Sequence, residues 1–400
     1  MTLTLDRALA WLTAFAVVFS LYAHTVLGMD SSAITPLSAA AIAAGLLMMS
    51  GLWFIRARLA IATTGFGVLA SFCLVAALGL GAISGIAGAI DKGVSLNDTG
   101  LLLLLVGVPV LVYANSDRAS LLTALGWWCA AFALVDAAAN MGAVAGFWTL
   151  QDAGAIYTDA GRVARFGGLT GNSHASGVVA LIGVAYIARH RLSRRPLWKW
   201  AATGGALLAI AASLLLIDAR RYLGEALLLS ALLLVPWARL LPLQLASAAA
   251  ATAGLIFTWQ STAPEEIQRV ALMAAGWRDA ADHLVIGEGV IYRTPTGSDF
   301  NGLWASRVTE SGVLDLAIQL GWAATVLLIG GALLALRGSR KVLPWPAALL
   351  AVMIGELAYG NPLEGFVGAV TFYAALVWVI CDELTPSPGT VRTAAAAAFI

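Results

Sequence analysis

Apolar residues run through this chain in long stretches that are hydrophobic on every helical face, separated by short polar interruptions. A helix that spans a bilayer needs roughly 20 mostly apolar residues. Twelve stretches qualify: about 9–28, 36–55, 60–82, 99–114, 119–140, 175–189, 197–217, 221–238, 241–260, 312–336, 344–360 and 363–381. The fourth and sixth are short, so their boundaries are soft. Lipid offers no water to satisfy free backbone groups, which leaves the helix as the open choice for such a chain. The pattern predicts an all-α polytopic membrane protein of about 12 transmembrane helices, organised as one transmembrane domain over residues 1–400. No internal repeat stands out.

Composition strengthens this picture. Hydrophobic residues make up 60% of the chain and charged residues 11%, and mean hydropathy is +0.87. A soluble domain carries about 25% charged residues. The net charge of +1 gives no bulk field for nucleic acid. Cys73, Cys129 and Cys381 form no CxxC pair and read as packing residues. Asp6 and Arg7 lead straight into an apolar span, with no cleavable-looking signal.

Charge orients the spans. RHRLSRRPLWK (189–199) and RGSRK (337–341) are short basic connections, and such loops stay cytoplasmic. With those two inside and the spans alternating, Arg7, Arg56, Arg58, Arg118, Arg239 and Arg392 also fall inside, as do both termini. That accounts for 14 of the 23 basic residues. The other nine (Lys92, Arg162, Arg165, Arg220, Arg221, Arg269, Arg278, Arg293 and Arg307) face outward, against the orientation signal. Arg220 and Arg221 interrupt the greasy run LIDARRYLGEALLL at the outer membrane face. One reading is interfacial snorkelling or local pairing, since Arg221 and Glu225 are spaced i, i+4.

Two outer loops are long, 141–174 and 261–311, whereas connections such as GNPLEG (360–365) are short. The second loop opens as an amphipathic helix: Ile267, Val270, Ala271, Ala274, Trp277 and Ala281 recur at helical spacing among Arg278, Asp279 and Asp282. This predicts an interfacial helix lying on or near the membrane face. IGEGVIYRTPTGSDFNG then reads as irregular loop. Trp277, Tyr292 and Trp304 suit an interfacial anchor or a sugar-stacking surface.

Arginine presents a planar fork of donors suited to phosphate oxygens. Arg162, Arg165, Arg220, Arg221 and Arg278 lie on three outer segments and are candidates to converge on one anionic head group. A lipid-linked pyrophosphate fits, because its tail needs the membrane and its charge needs arginine. HExxH and DxD are absent, and no cofactor is expected. Arginines would then stabilise the leaving group where other enzymes use a metal. A base is needed for an acceptor hydroxyl. Glu310, Asp315, His174, His283, Asp299, Asp159 and Asp218 are candidates. Glu310 leads, at the junction of polar loop and apolar span in RVTESGVLDLAIQLGW. Helix capping is the competing role for Glu310, and capping or lining competes for His174.

Four segments resemble the O-antigen polymerase and ligase superfamily, Wzy-type polymerases and lipid-A-core ligases of GT-C-like membrane fold. RVARFGGLTGNSHASG is similar to an R-x-x-G-x-x-x-N-x-x segment entering a helix. LIDARRYLGEALLL resembles S-x-S-R-G, with Asp218 and Arg220 at the serine positions. ALMAAGWRDAADHLVIGEGV resembles the segment before the family's long loop, and VTESGVLDLAIQLGW the helix start after it. The resemblance covers roughly residues 160–335. It implies that Arg221 or Arg220 holds pyrophosphate, with Arg165, Arg162 and Arg278 supporting. Ligases carry a histidine at the fourth motif's start. That slot here, eleven residues before Gly321, is Glu310.

The reading that results is a polysaccharide polymerase of the bacterial inner membrane with its site facing the periplasm. It implies transfer of a growing glycan from undecaprenyl pyrophosphate to a lipid-linked repeat unit, inverting and metal-independent. Partners would be the lipid-linked oligosaccharide, the bilayer and a chain-length regulator, with no nucleic acid. A ligase, or a transporter or flippase of lipid-linked sugars, is the alternative. The spans hold few charges, among them Asp136, Glu225, Asp315 and Glu356, which favours an enzyme over a transporter.

Overall fold

The computed structural model describes residues 5–27, 31–56, 66–92, 106–115, 117–147, 169–170, 173–189, 197–217, 219–234, 264–289, 294–295, 306–307, 311–338, 344–358, 360–363 and 365–384. The expected span 241–260, most of loop 141–174 and most of residues 290–310 lie outside these.

Among the described residues the fold is all-helical apart from one antiparallel two-residue pairing, Thr294–Pro295 (β1) with Ser306–Arg307 (β2). The helices are α1 (Leu5–Phe19), α2 (Ala23–Leu27), α3 (Ser31–Arg56), α4 (Phe66–Lys92), α5 (Val108–Ala114), α6 (Arg118–Val144) and α7 (Ser173–Ala188). They continue as α8 (Leu197–Leu216), α9 (Arg220–Leu234), α10 (Pro264–Ala281), α11 (Gly312–Leu320), α12 (Trp322–Gly338), α13 (Trp345–Glu356) and α14 (Phe366–Leu384). Phe66–Ile90 and Arg118–Val144 are each long and apolar enough to cross a membrane.

Helix α14 is the axis of the bundle. It packs against α1, α4, α5, α6, α7, α12 and α13. Val367, Ala369, Val370, Phe372, Tyr373, Leu376, Val377 and Ile380 are all buried, so an all-round apolar sequence here means all-round protein contact. The outer helices differ. Leu12, Phe72, Ile86, Ile90, Leu208 and Leu227 are large, apolar and exposed.

Local chemistry sets the helix ends. Asp117 caps α6 by accepting from the Ser120 amide. Arg118 donates to the last-turn carbonyls Val112 O (3.2 Å) and Tyr113 O of α5, satisfying groups the helix leaves open. Arg189 does the same for α7 at Tyr186 O (2.6 Å). Pro346 sits in the first turn of α13, where its missing N–H costs nothing.

Three boundaries differ from the sequence reading. The first span is interrupted at Ser20–Tyr22, between α1 and α2. Helix α4 runs from Phe66 to Lys92 rather than ending near 82, and in this added length Gly88 lets the backbone of Glu288 and Gly289 come close. A Cβ on Gly88 would lie 1.9 Å from Glu288 O. The expected span 312–336 is broken at Gly321 (φ +89°), where a Cβ would meet Val285 O at 2.4 Å.

That break receives residues 283–289. Trp322 N donates to His283 O (2.9 Å) and Ala323 N to Leu284 O (3.0 Å). Glu288 N donates to Ile318 O (2.7 Å) and Gly289 N to Gln319 O (2.9 Å). Ser84 of α4 accepts from Gly287 N (2.9 Å) and donates to Leu320 O (3.0 Å). Residues 283–289 are therefore tied by backbone bonds on both sides of the helix break, and they include only the start, 286–289, of the segment read as irregular loop.

Helix α10 forms as expected, but its packed face is different. Leu272 and Ala280 are buried, and Ala280 packs with Leu314, Ala317 and Ile318 of α11. Ala271, Trp277 and Ala281 of the expected stripe are exposed, although the Trp277 ring still approaches Trp322 (centroids 5.7 Å).

Candidate functional site

Helix starts and one helix end meet at one pole of the bundle. Helices α7, α9 and α11 begin there, α13 ends there, and the turn 357–363 leads on towards α14. Helices α7, α9 and α13 pack mutually. Backbone bonds from Gly312 N to Gly360 O (2.7 Å) and from Val313 N to Leu357 O (3.0 Å) fasten α11 to the turn.

His174 stands in the first turn of α7, Arg221 and Tyr222 in the first turn of α9, and Glu356 closes α13. Arg221 Nη2 donates to His174 Nδ1 (2.6 Å) and to Tyr222 Oη (2.9 Å). The Tyr222 hydroxyl donates to Glu356 Oε1 (2.7 Å) and lies against His174 Nδ1. Arg221 Nη2 is 3.5 Å from Glu356 Oε1, with the guanidinium side chain 30% exposed and the carboxylate side chain 0% exposed. Glu225, one turn along α9 and buried, adds a second negative charge to the surroundings of Arg221.

The partners assign the imidazole tautomer. Asn361 O can only accept, so His174 Nε2 carries the proton that bridges them (3.0 Å). Arginine can only donate, so Nδ1 is an acceptor and the ring is neutral. Asn361 is itself held: Leu363 N donates to its Oδ1 (3.1 Å), and its Nδ2 donates to Asp315 Oδ2 (3.0 Å). Asp315 is buried on α11. One connected network thus runs from Asp315 through Asn361 and His174 to Arg221, Tyr222 and Glu356.

Two glycines make the fit. A Cβ on Gly360 would lie 2.6 Å from Arg221 Nη1, and a Cβ on Gly177 would lie 2.0 Å from a Tyr222 ring carbon. Beneath the site, Asp136 of α6 accepts from Leu169 N (2.7 Å), and Thr170 shares a hydrogen bond with Ser176 (2.8 Å). These bonds tie the stretch before α7 to the bundle.

Of the residues picked out in sequence, the structure brings Arg221, His174 and Asp315 into one network. Arg220 is the first residue of α9, and its side chain lies outside the described residues. Arg162, Arg165, Glu310, Asp159, Asp218 and Asp299 lie outside them too. Ser311, next to Glu310 in the chain, is buried at the site's edge and donates to Leu357 O (3.3 Å). Arg278 is exposed on α10 and stands outside this network. His283 pairs with Glu288 (3.6 Å) in the segment at the helix break. Asp279, on the outer part of α10, has its carboxyl pushed up by burial, then by Glu288 and Asp282.

Sequence reasoning missed Tyr222, Glu356 and Asn361. In the sequence Glu356 is a rare acid within a span, and GNPLEG is a short connection. The signal for both was an ionisable residue within an apolar run, one turn before a Gly-Asn-Pro turn: such a residue is a functional candidate by default. No protein-family model matches the chain, and no curated protein matches it.

Proposed function

We propose that this chain is a multi-pass membrane glycosyltransferase of the polysaccharide-polymerase kind, acting on polyprenyl-pyrophosphate-linked saccharide. The observation that carries this reading is the Arg221 guanidinium, partly exposed at the pole and aimed by His174 and Tyr222. Three helix starts flank it, and the positive end of a helix favours anions. The large apolar side chains exposed on α1, α4, α8 and α9 suit contact with lipid tails. Twelve spans with both termini cytoplasmic would set the Arg221 pole at the periplasmic face of a bacterial inner membrane.

In the reaction, an acceptor hydroxyl attacks the anomeric carbon of the donor glycan. The bond from that carbon to the pyrophosphate oxygen breaks with inversion, and the electron pair leaves on the pyrophosphate. Arg221 stabilises the charge that develops on the leaving group. Arg220, Arg162, Arg165 and Arg278 are assigned supporting roles from the sequence resemblance. The hydroxyl proton goes to a carboxylate, for which Glu310 is the candidate; its neighbour Ser311 is packed against the turn that carries Gly360. A ligase would use the same chemistry with a different acceptor.

The test is a purified, EDTA-treated protein in nanodiscs given a lipid-pyrophosphate-linked repeat unit, with products resolved on a gel. A ladder that vanishes in Arg221→Ala, while the variant stays folded, is the expected result. A ladder of wild-type length from Arg221→Ala removes the arginine's role. One observation favours a second reading as transporter or flippase: Asp136, Glu225, Asp315 and Glu356 are all buried in helices, as in proton-linked carriers. Movement of the labelled lipid between leaflets with no ladder would select that reading.

A further inference from the structure

The Arg221 site separates orientation from charge. The guanidinium is aimed by two neutral acceptors, His174 Nδ1 (2.6 Å) and Tyr222 Oη (2.9 Å). Glu356 lies 3.5 Å from the same nitrogen, beyond ordinary hydrogen-bond range, and so acts on it through charge. Its Oε1 takes the Tyr222 hydroxyl, and its Oε2 has no hydrogen-bond partner among the described residues. A fully buried carboxylate with this little support is a poor device for stability, because losing water costs more than such contacts return. It also has no exposed surface with which to touch a substrate.

We propose that Glu356 is a positioning residue that serves as the counter-ion of the anion site: it competes with bound pyrophosphate for the charge of Arg221, so that the leaving group is stabilised and then released. The inference rests on the reading of Arg221 as a pyrophosphate ligand. It differs from a structural role in sign. Loss of a structural contact weakens binding, whereas loss of a competing charge tightens it. Glu356→Gln keeps an oxygen for the Tyr222 hydroxyl and removes only the charge. Where release limits turnover, the same variant lowers kcat and KM together.

Inorganic pyrophosphate titrated calorimetrically into the full chain in nanodiscs, with EDTA present, tests this. Glu356→Gln should bind pyrophosphate more tightly than wild type, roughly two- to fivefold with the pair taken at the value of an exposed one; its partners are 30% and 0% exposed. Glu356→Asp draws the charge back by one methylene and should gain less. A folded Glu356→Gln with unchanged or weaker affinity overturns the proposal. If that variant does not fold, an absent gain in Glu356→Asp overturns it equally. Arg221→Ala separates the two levels. If it binds like wild type, the pyrophosphate reading of Arg221 fails and the counter-ion fails with it. If it loses binding while Glu356→Gln gains nothing, only the counter-ion fails.

Discussion

At the scale of single residues, Gly360 and Gly177 give opposite predictions from the same kind of contact. A methyl on Gly360 would press on Arg221 Nη1 at 2.6 Å, the far end of a flexible and partly exposed side chain. The guanidinium can swing away, so Gly360→Ala should keep its melting temperature in detergent and lose ladder formation, up to ~100-fold for a displacement of about 1 Å. A methyl on Gly177 would meet the Tyr222 ring at 2.0, 2.3 and 2.5 Å, and that ring is stiff and buried. Gly177→Ala should therefore lower the melting temperature, by an amount equivalent to ~1–3 kcal/mol of overpacking. A Gly177→Ala protein as stable as wild type would remove the close fit. The arginine of this site is legible in sequence because a basic residue on the outward side stands out against topology, and His174 is legible only as one of several polar candidates near a helix start. Glu356 and Asn361 were not, because their role arises only when α13 and its turn are brought against α7, α9 and α11. Periodicity along one helix cannot show which neighbour meets it.

At the scale of elements, one hydroxyl joins the four backbone bonds that hold the break between α11 and α12. Ser84 is buried on α4 and bridges Gly287 N to Leu320 O, linking three segments far apart in sequence. Ser84→Ala leaves a buried donor and a buried acceptor unpaired and should cost ~1–3 kcal/mol. The loss should be local, so amide exchange at Gly287 and Gly289 should quicken while α14 keeps its protection. Unchanged exchange at both glycines would mean that the bonds to Ile318 and Gln319 hold the segment alone. Residues 312–336 read as one span because hydrophobicity runs through Gly321 without a pause. The two devices that split the run, a left-handed glycine and backbone donated from residues 283–289, leave no trace in a hydropathy pattern. Helix α10 shows the same limit. Its helical period is legible, but which of its apolar faces meets protein depends on α11.

At the scale of the molecule, two poles are distinct. Arg221, His174 and the buried Glu356 gather at the pole where α7, α9 and α11 begin. At the other, Arg118 approaches Cys381 at the end of α14 (3.5 Å), Arg189 covers Tyr186 at the end of α7, and Arg337 covers Phe66 at the start of α4. Arg118, Arg189 and Arg337 all belong to the set assigned to the cytoplasm by the positive-inside pattern. The structure thus keeps these three arginines apart from Arg221. This yields a test of sidedness independent of any enzyme assay. With Cys73, Cys129 and Cys381 replaced by alanine in a protein that still folds, single cysteines are placed at Asp279 and at Arg340. An impermeant maleimide should label position 279 in intact spheroplasts and position 340 only after permeabilisation. Labelling of 340 alone would turn the Arg221 pole to the cytoplasm. A donor glycan polymerised on the periplasmic side could not then reach that arginine, and the polymerase reading would fall whatever its affinity for pyrophosphate.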